Sequence, residues 1–285
     1  MKFPKWLRQK LVLGPNVITQ EILDKNKLNT VCFEAKCPNI MRCYSKKIAT
    51  FLALGTKCTR NCGFCDIDFD ANPSIPDINE PKNIAKATKE MNLRHVVITM
   101  VTRDDLPDQG ANHISQIIQE IKKLNPSTTV EVLTSDFSKK YDLIDIVINE
   151  QIDIFNHNIE TVRSLTPKIR HIATYDTSLE VLKYVKSKRP SILVKSGLMV
   201  GMGESLDEVK EAIKDLKESG CDIITIGQYL QANKNKYKVK EYIHPDIFKK
   251  YEKYALSIGV KCIYSSPFVR SSFNAEVIKN KTLQG

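Results

Sequence analysis

Residues 48–68 read IATFLALGTKCTRNCGFCDID. The first seven are apolar apart from one threonine and stop at Gly55, which predicts a strand buried on both faces, of the parallel-sheet kind. Cys58, Cys62 and Cys65 follow at once, with three and then two residues between them. Three thiols that close can grip one inorganic centre from a single loop. A four-iron cubane held by three cysteines keeps one iron open, and an open iron can bind a small molecule. A zinc knuckle or a redox thiol pair would also use such thiols. Zinc sites usually bring a fourth Cys or His at matching spacing, and none follows Cys65 closely.

Downstream the pattern alternates. Strands are expected at 95–101 (HVVITMV), 129–134, 153–156, 192–200, 222–228 and 261–264. Helices are expected at 114–124, 179–186, 206–219 and 247–258, with a helix or turn at 141–149. Asp207 and Glu208 favour a helix start and Gly220 a helix end. Strands alternating with helices imply parallel βα units. The expected fold class is therefore α/β: a partial (βα)6 TIM-type barrel with N-terminal and C-terminal extensions. No G-x-G-x-x-G follows the first strand, which argues against a dinucleotide-binding sheet. In barrels chemistry gathers at the C-terminal ends of strands, where the 58–65 loop lies. Upstream, residues 1–30 read as a helical arm, with Trp6, Leu7, Leu11, Leu13, Ile18, Ile22 and Leu23 apolar. Residues 31–47 read as a loop with short turns, and the basic run 234–240 as a solvated loop.

The chain has 285 residues, 42% hydrophobic and 27% charged, which suits a soluble globular protein with a substantial core. No long uncharged apolar run is present, so no membrane span and no membrane partner are expected. The opening MKFPKWLRQKL carries charges throughout and no apolar h-region, unlike a secretory signal. Six of the eight cysteines lie between 32 and 65 in two triplets, which points to metal ligation in a reducing compartment. Cys221 and Cys262 read as small core residues. The net charge is +10, from 43 basic and 33 acidic residues. No nucleic-acid-binding motif accompanies it, so no nucleic-acid partner is expected.

Cys32, Cys37 and Cys43 form the other triplet, in VCFEAKCPNIMRCYS. Zinc with a distant fourth ligand, structural thiols and a second iron–sulfur cluster are all open to three such residues. The resemblance that narrows the choice covers nearly the whole chain. The run C-x4-C-P-N-x3-C, the T-F-x-x-L-G strand and C-x3-C-x2-F-C-D are similar to the lipoyl synthase family of the radical SAM superfamily. TRDDLPDQG (102–110), FNHNIET (155–161), KSGLMVGMGE (195–204), TIGQYLQ (225–231) and PFVRSSF (267–273) resemble further segments of that family.

The resemblance implies two 4Fe-4S clusters and S-adenosyl-L-methionine (SAM). Cys58, Cys62 and Cys65 would ligate the SAM cluster. Cys32, Cys37, Cys43 and Ser272 would ligate an auxiliary cluster that is consumed as sulfur donor, with Ser271 the other candidate serine. The implied reaction inserts sulfur at C6 and C8 of a protein-bound octanoyl-lysine to give lipoyl-lysine, a sulfurtransferase step of lipoate biosynthesis. Unactivated C–H bonds are beyond acid–base catalysis, hence a radical. Arg270 is expected to bond cluster sulfide or steer substrate. Arg103, Asp104, Asn156, Asn158, Glu160 and Gln228 are expected to bind cofactor. Gly197, Gly201 and Gly203 suit close approach or tight turns. The domain expectation is 1–47 for the N-terminal extension with the auxiliary motif, 48–264 for the barrel and 265–285 for the serine segment. Implied partners are an octanoylated carrier domain (the acyltransferase component of a 2-oxoacid dehydrogenase, or glycine cleavage H protein), an electron donor such as ferredoxin or flavodoxin, and an iron–sulfur carrier that rebuilds the auxiliary cluster. The expected location is the cytoplasm, or an organellar matrix in a eukaryote. Other readings are a different radical SAM sulfur-transfer enzyme and a non-enzymatic iron–sulfur or zinc protein. The chain departs from the family pattern at Thr102, Gln109, Lys236, Lys238, Glu241, Ser266 and Phe273.

Overall fold

The computed structural model describes residues 3–9 and 16–272. Leu11, Leu13 and Phe273, with the rest of the 273–285 segment, lie outside them. Within 1–30, where a helical arm was expected, the described residues form a short 3-10 turn at Lys5–Leu7 and a helix at Asn16–Lys25.

The chain forms two compact units. One comprises Leu11–Asn61 and Asp66–Phe155. Its strand β1 (Thr50–Ala53) is buried at every residue, which is why the run that encodes it carries no alternation. Two short strands, β2 (Lys57–Cys58) and β3 (Asp68–Phe69), pair in parallel beside the loop. β4 (His95–Met100) is also wholly buried. It pairs in parallel with β1, Thr50 opposite Val97, and with β5 (Thr129–Leu133), His95 opposite Thr129. The helix Ala111–Leu124 buries Ile114, Ile117, Ile118 and Ile121, one stripe at helical spacing. The helix Glu80–Glu90 was not expected from the sequence: its buried stripe is Ile84, Ala85, Ala87 and Thr88, small residues among lysines. The strand β6 (Ile154–Asn156) leads out of this unit.

The other unit comprises Met1–Lys10, Cys62–Cys65 and Asn156–Gly285. Its strands are β7 (Leu193–Val200), β8 (Ile223–Gln228) and β9 (Cys262–Ser265), paired in parallel with Gly197 opposite Thr225 and Ile223 opposite Cys262. The helix Leu206–Glu218 begins on a capping box: the Ser205 hydroxyl accepts the Glu208 N–H and the Glu208 carboxylate accepts the Ser205 N–H. Seven strands hydrogen-bond in the order β1-β4-β5-β6-β7-β8-β9, the α/β topology of a partial TIM-type barrel. Six of them follow the cysteine loop, as the alternation implied. No helix among the described residues is long and apolar enough to cross a membrane.

At the N-terminal ends of β7, β8 and β9, Asp222 ties three segments together. Its carboxylate accepts Lys186 Nζ at 2.7 Å, the Val194 N–H at 2.9 Å and Lys261 Nζ at 2.6 Å. Burial opposes its charge, but the two lysines outweigh that and hold its carboxyl below the usual carboxylate range. The stability it contributes is therefore present above about pH 4, the unfolded value, and is lost as pH falls through the folded value. Asp222→Asn is expected to lower stability at pH 7 by about 3 kcal/mol and to flatten the acid limb of stability against pH, measured by urea denaturation between pH 3 and 7.

Candidate functional site

The first triplet is fastened to β1. The Leu52 N–H donates to Asn29 O at 2.9 Å, and Thr30 bridges Phe51 in antiparallel fashion. Thr30 then caps a short helix, Val31–Glu34, its hydroxyl accepting the Phe33 N–H at 3.3 Å and meeting the Tyr44 hydroxyl at 2.7 Å. Cys32 rides on that helix. The Cys37 N–H donates back to Cys32 O at 2.9 Å, and Cys43 rides on a second short helix, Ile40–Tyr44. These two helices occupy the segment expected to be a loop with short turns. Cys32 is buried and Cys37 and Cys43 are half-buried, and all three are free thiols.

Burial pushes the Cys32 thiol up to about 12 and the Cys43 thiol up to about 11, and the neighbouring Cys37 adds to both. Burial thus makes negative charge unwelcome on Cys32 and Cys43. A cationic metal centre is what would hold them as thiolates at neutral pH. Among the described residues no three His, Cys, Asp or Glu side chains close on a point that could hold a single metal ion. A mononuclear zinc site needs its ligands about 2.0–2.3 Å from one ion. Each triplet offers three cysteines with no fourth Cys or His close in sequence, the donor set that suits a four-iron cluster with one iron left for another ligand.

In the same unit the second loop is fixed through Thr59 and Arg60. The Thr59 N–H donates to Thr102 O at 3.0 Å, and its hydroxyl accepts the Asp104 N–H at 3.0 Å. The Arg60 N–H points at Cys58 Sγ, 3.4 Å away. The Arg60 guanidinium is buried. Nε and Nη2 form a fork on Asp104, both at 2.8 Å, and Nη1 meets Asp136 at 2.8 Å. Arg60 holds the Asp104 carboxyl below its usual range against the opposing effect of burial. Ser138, in a run of three left-handed residues at 137–139, donates to Asp104, while Gln109 donates to Ser138. Gln109 itself stands at φ 48°, a conformation glycine takes more easily, at one of the positions that depart from the family pattern.

Arg103 and Asp104, adjacent in sequence, serve different partners. Arg103 is buried and forks onto Asp105 at 2.8 and 2.9 Å, with further bonds to Leu54 O and Pro73 O. The residue that grips Asp104 is Arg60, which no motif in the sequence singles out.

In the other unit, Cys62–Cys65 forms a turn in which the Cys65 N–H donates to Cys62 O at 3.2 Å. The Gly63 N–H donates to Ile169 O at 2.7 Å, and Gly63 O accepts the Tyr237 N–H at 2.8 Å. Phe64 packs on a core of Ile169, Met202 and Tyr229. After β6 a hydrogen-bonded relay runs through four side chains. Asn156 Nδ2 donates to Ser271 Oγ at 2.8 Å, Ser271 Oγ to Asn158 Oδ1 at 3.0 Å, and Asn158 Nδ2 to Glu160 Oε1 at 3.0 Å. Burial raises the Glu160 carboxyl, outweighing Arg170 and Asn158. Asn156, Asn158 and Glu160 are thus brought together, with Ser271 among them. Ser272 is half-buried and its hydroxyl makes no hydrogen bond among the described residues. Arg270 donates to Val269 O at 2.6 Å. Gly227 lets this segment lie against β8, since a Cβ there would stand 2.0 Å from Val269 O. Gln228 is buried and its carboxamide is engaged: Nε2 donates to Tyr229 O and Glu241 O, and Oε1 accepts the Ile243 N–H. Gly201, at φ 98°, makes the turn that accepts that loop. Among the histidines, His113 Nε2 bonds Glu80 at 2.7 Å, and His95 Nδ1 bonds Thr129 at 2.8 Å while its Nε2 faces Glu131 at 3.5 Å.

Arg60→Ala would strand Asp104 and Asp136. A stability loss of about 3 kcal/mol is expected in chemical denaturation. Arg60→Lys should recover only part of it, because an ammonium cannot reproduce the fork. Equal stability of Arg60→Ala and the parent would show that the network does not hold the loop.

Comparison with known proteins places this geometry. The Radical SAM superfamily matches residues 52–216. The lipoyl synthase of Protochlamydia amoebophila is 51% identical, over 97% of this chain and 87% of its own. That of Caldicellulosiruptor saccharolyticus is 51% identical, over 96% of both. Among solved structures, Streptococcus suis SuiB bound to S-adenosylmethionine superposes with a TM-score of 0.61 at 13% identity; it covers 79% of this chain, which spans about half (54%) of that one. Methylornithine synthase (PylB) gives 0.56 at 12% identity, over 97% and 94%. These two likenesses are of fold alone. Identity near one half along almost the whole length is another matter, and on it the chain belongs to the lipoyl synthase family of radical SAM enzymes.

Proposed function

We propose that this chain carries out its family's reaction, sulfur insertion at C6 and C8 of an octanoyl-lysine borne on a carrier protein, with its six clustered cysteines divided between two 4Fe-4S clusters. What carries this reading is that two cysteine triplets flank β1 in sequence, Cys32, Cys37 and Cys43 before it and Cys58, Cys62 and Cys65 after it, in a chain half-identical to lipoyl synthases. Cys58, Cys62 and Cys65 hold the cluster that binds SAM. Cys32, Cys37 and Cys43 hold the auxiliary cluster, with 1–47 and 265–285 as the segments that complete it. Ser272 is the fourth auxiliary ligand. Its hydroxyl makes no hydrogen bond among the described residues, whereas Ser271 already both accepts and donates within the relay. When bound, SAM and the clusters supply the electron, the 5′-deoxyadenosyl radical and the sulfur that acid–base groups cannot.

The protein's part is position. Arg60 pins the loop beside Cys58, and its amide points at the Cys58 sulfur. Phe64 anchors the turn between Cys62 and Cys65. Asn156 and Asn158 clamp Ser271, and so fix the segment that presents Ser272. Glu160 keeps Oε2 for a donor on the amino-acid or ribose end of SAM. Asp104, fixed by Arg60, presents a second carboxylate, while Arg103 and Gln228 brace the loops around the cofactor. Arg270 steers substrate beside the serines. The carrier is an acyltransferase component or an H protein, the electron donor is of ferredoxin or flavodoxin type, an iron–sulfur carrier rebuilds the auxiliary cluster, and the setting is the cytoplasm.

Anaerobic incubation with SAM, reductant and an octanoyl-lysine peptide is expected to give two sulfur additions by mass spectrometry. Cys37→Ala and Ser272→Ala are expected to spare SAM cleavage and abolish sulfur insertion, while Ser271→Ala keeps auxiliary iron and sulfide. Loss of SAM cleavage in Cys37→Ala would refute the division between triplets. Loss of auxiliary iron in Ser271→Ala but not Ser272→Ala would reverse the serine assignment.

A further inference from the structure

The segment 231–243 is a pinned strap. The Tyr237 N–H is held by Gly63 O at 2.8 Å, Tyr237 O by the Tyr229 hydroxyl at 2.7 Å, and the Lys240 and Glu241 N–H groups by Gly201 O. Gln231 Nε2 closes on Lys236 O at 2.9 Å and Gln228 Nε2 on Glu241 O at 3.0 Å. Within it the sequence KNKYKVK places lysine at 234, 236, 238 and 240. Tyr237 and Val239 turn inward and pack with Phe64 against the Ile169, Met202 and Tyr229 core. Residues 232–236 turn and bend, and 237–243 run without regular structure. Lys234, Lys238 and Lys240 are exposed and Lys236 is half-buried, and Lys240 Nζ lies 6.0 Å from the Tyr237 ring centroid.

None of the four lysines has an ion-pair partner among the described residues. Exposed lysines elsewhere are of both kinds: Lys249, Lys57 and Lys261 each meet a carboxylate within 3 Å, while Lys46, Lys47 and Lys82 have no ion pair among the described residues, but these are not gathered on one pinned segment. The only acid within 234–241 is Glu241, at its end. Four unneutralised cations on a backbone fixed at both ends form a rigid positive rail. It is hydrogen-bonded to Gly63, within the turn between Cys62 and Cys65. A flexible basic loop would lose side-chain and backbone freedom on meeting a partner; a pinned one loses far less.

We propose that this lysine rail is a docking surface for the carrier protein, and that it meets an acidic face surrounding the octanoyl-lysine. This rests on the reading above that a carrier-borne octanoyl group is the substrate. The rail recognises the carrier's surface charge and not the acyl chain, so it raises the encounter rate and lowers KM while leaving the chemical step alone.

The test compares the reconstituted holoenzyme with its Lys234→Glu/Lys238→Glu/Lys240→Glu variant, which leaves Tyr237 and Val239 in place. Binding of an octanoylated carrier domain is measured directly, without turnover, across a salt series. Turnover is measured with that domain and with a short, uncharged octanoyl-lysine peptide. The variant is expected to bind the carrier about tenfold more weakly at low salt, to show a flatter salt dependence, and to turn over the peptide as the parent does. Rail-dependent carrier binding by an enzyme that forms no lipoyl group would support the docking surface and overturn the reaction instead. Unchanged carrier binding would overturn the proposal. So would equal loss of peptide turnover, which would make the strap part of the active centre's fold. A Lys→Gln triple variant as weak as the Glu variant at every salt concentration would also overturn it, as the contact would not be electrostatic. So would tighter rail-dependent binding to duplex DNA than to the carrier.

Discussion

The hydrogen bond from the Leu54 N–H to Glu80 Oε2, 2.9 Å long, decides where β1 ends and the cysteine loop begins. Leu54 sits in the left-handed region at φ 72°, unusual for a bulky side chain, so its conformation is held by its surroundings. Glu80 is buried at the start of its helix and is itself held by His113, on the next helix. Arg103 grips Leu54 O from the end of β4. Both polar groups of one residue are thus fixed by separate elements. The chain leaves the sheet in one direction only, and Cys58 is placed by it. β1 also receives Asn29 and Thr30 along its side, so the same short strand locates the first triplet.

In the other unit the controlling arrangement is polar and side-chain based. The relay through Asn156, Ser271, Asn158 and Glu160 links residues distant in sequence by single hydrogen bonds, each donor matched to one acceptor. Such a network is unforgiving, since loss of one member leaves its neighbours unmatched away from water. It explains why two serines side by side differ. Ser271 is engaged in holding the segment, while the Ser272 hydroxyl has no hydrogen bond among the described residues.

The parts legible in the sequence were those with a period or a spacing. The buried strands β1 and β4, the amphipathic helices Ala111–Leu124 and Leu206–Glu218, and the two cysteine triplets declare themselves through neighbours a few residues away. The helix Glu80–Glu90 did not, because Ile84 is the one large aliphatic residue on a buried face otherwise made of Glu80, Pro81, alanine and threonine. The short helices around Cys32 and Cys43 did not, because four or five residues carry no stripe; the first starts where Asn29 and Thr30 are held against β1 and Thr30 caps it. Arg60 was invisible for another reason. Its partners, Asp104 and Asp136, lie in loops after β4 and β5, and nothing local marks an arginine as bidentate. The lysine run looked like an ordinary solvated loop, and only the bonds to Gly63 and Gly201 reveal a fixed backbone.

Phe64 has a consequence for how the protein lets go. Its ring is embedded with Ile169, Met202 and Tyr229, and the backbone beside it is latched by Ile169 and Tyr237. The turn from Cys62 to Cys65 therefore cannot fray alone; releasing it requires that packed region to open as a cooperative block. Hydrogen exchange at the Gly63 and Tyr237 amides would then follow sub-global opening, unlike the fast exchange usual for a loop. The durability of whatever these thiols hold is a property of the surrounding fold, set by the free energy of that opening as much as by the bonds to sulfur.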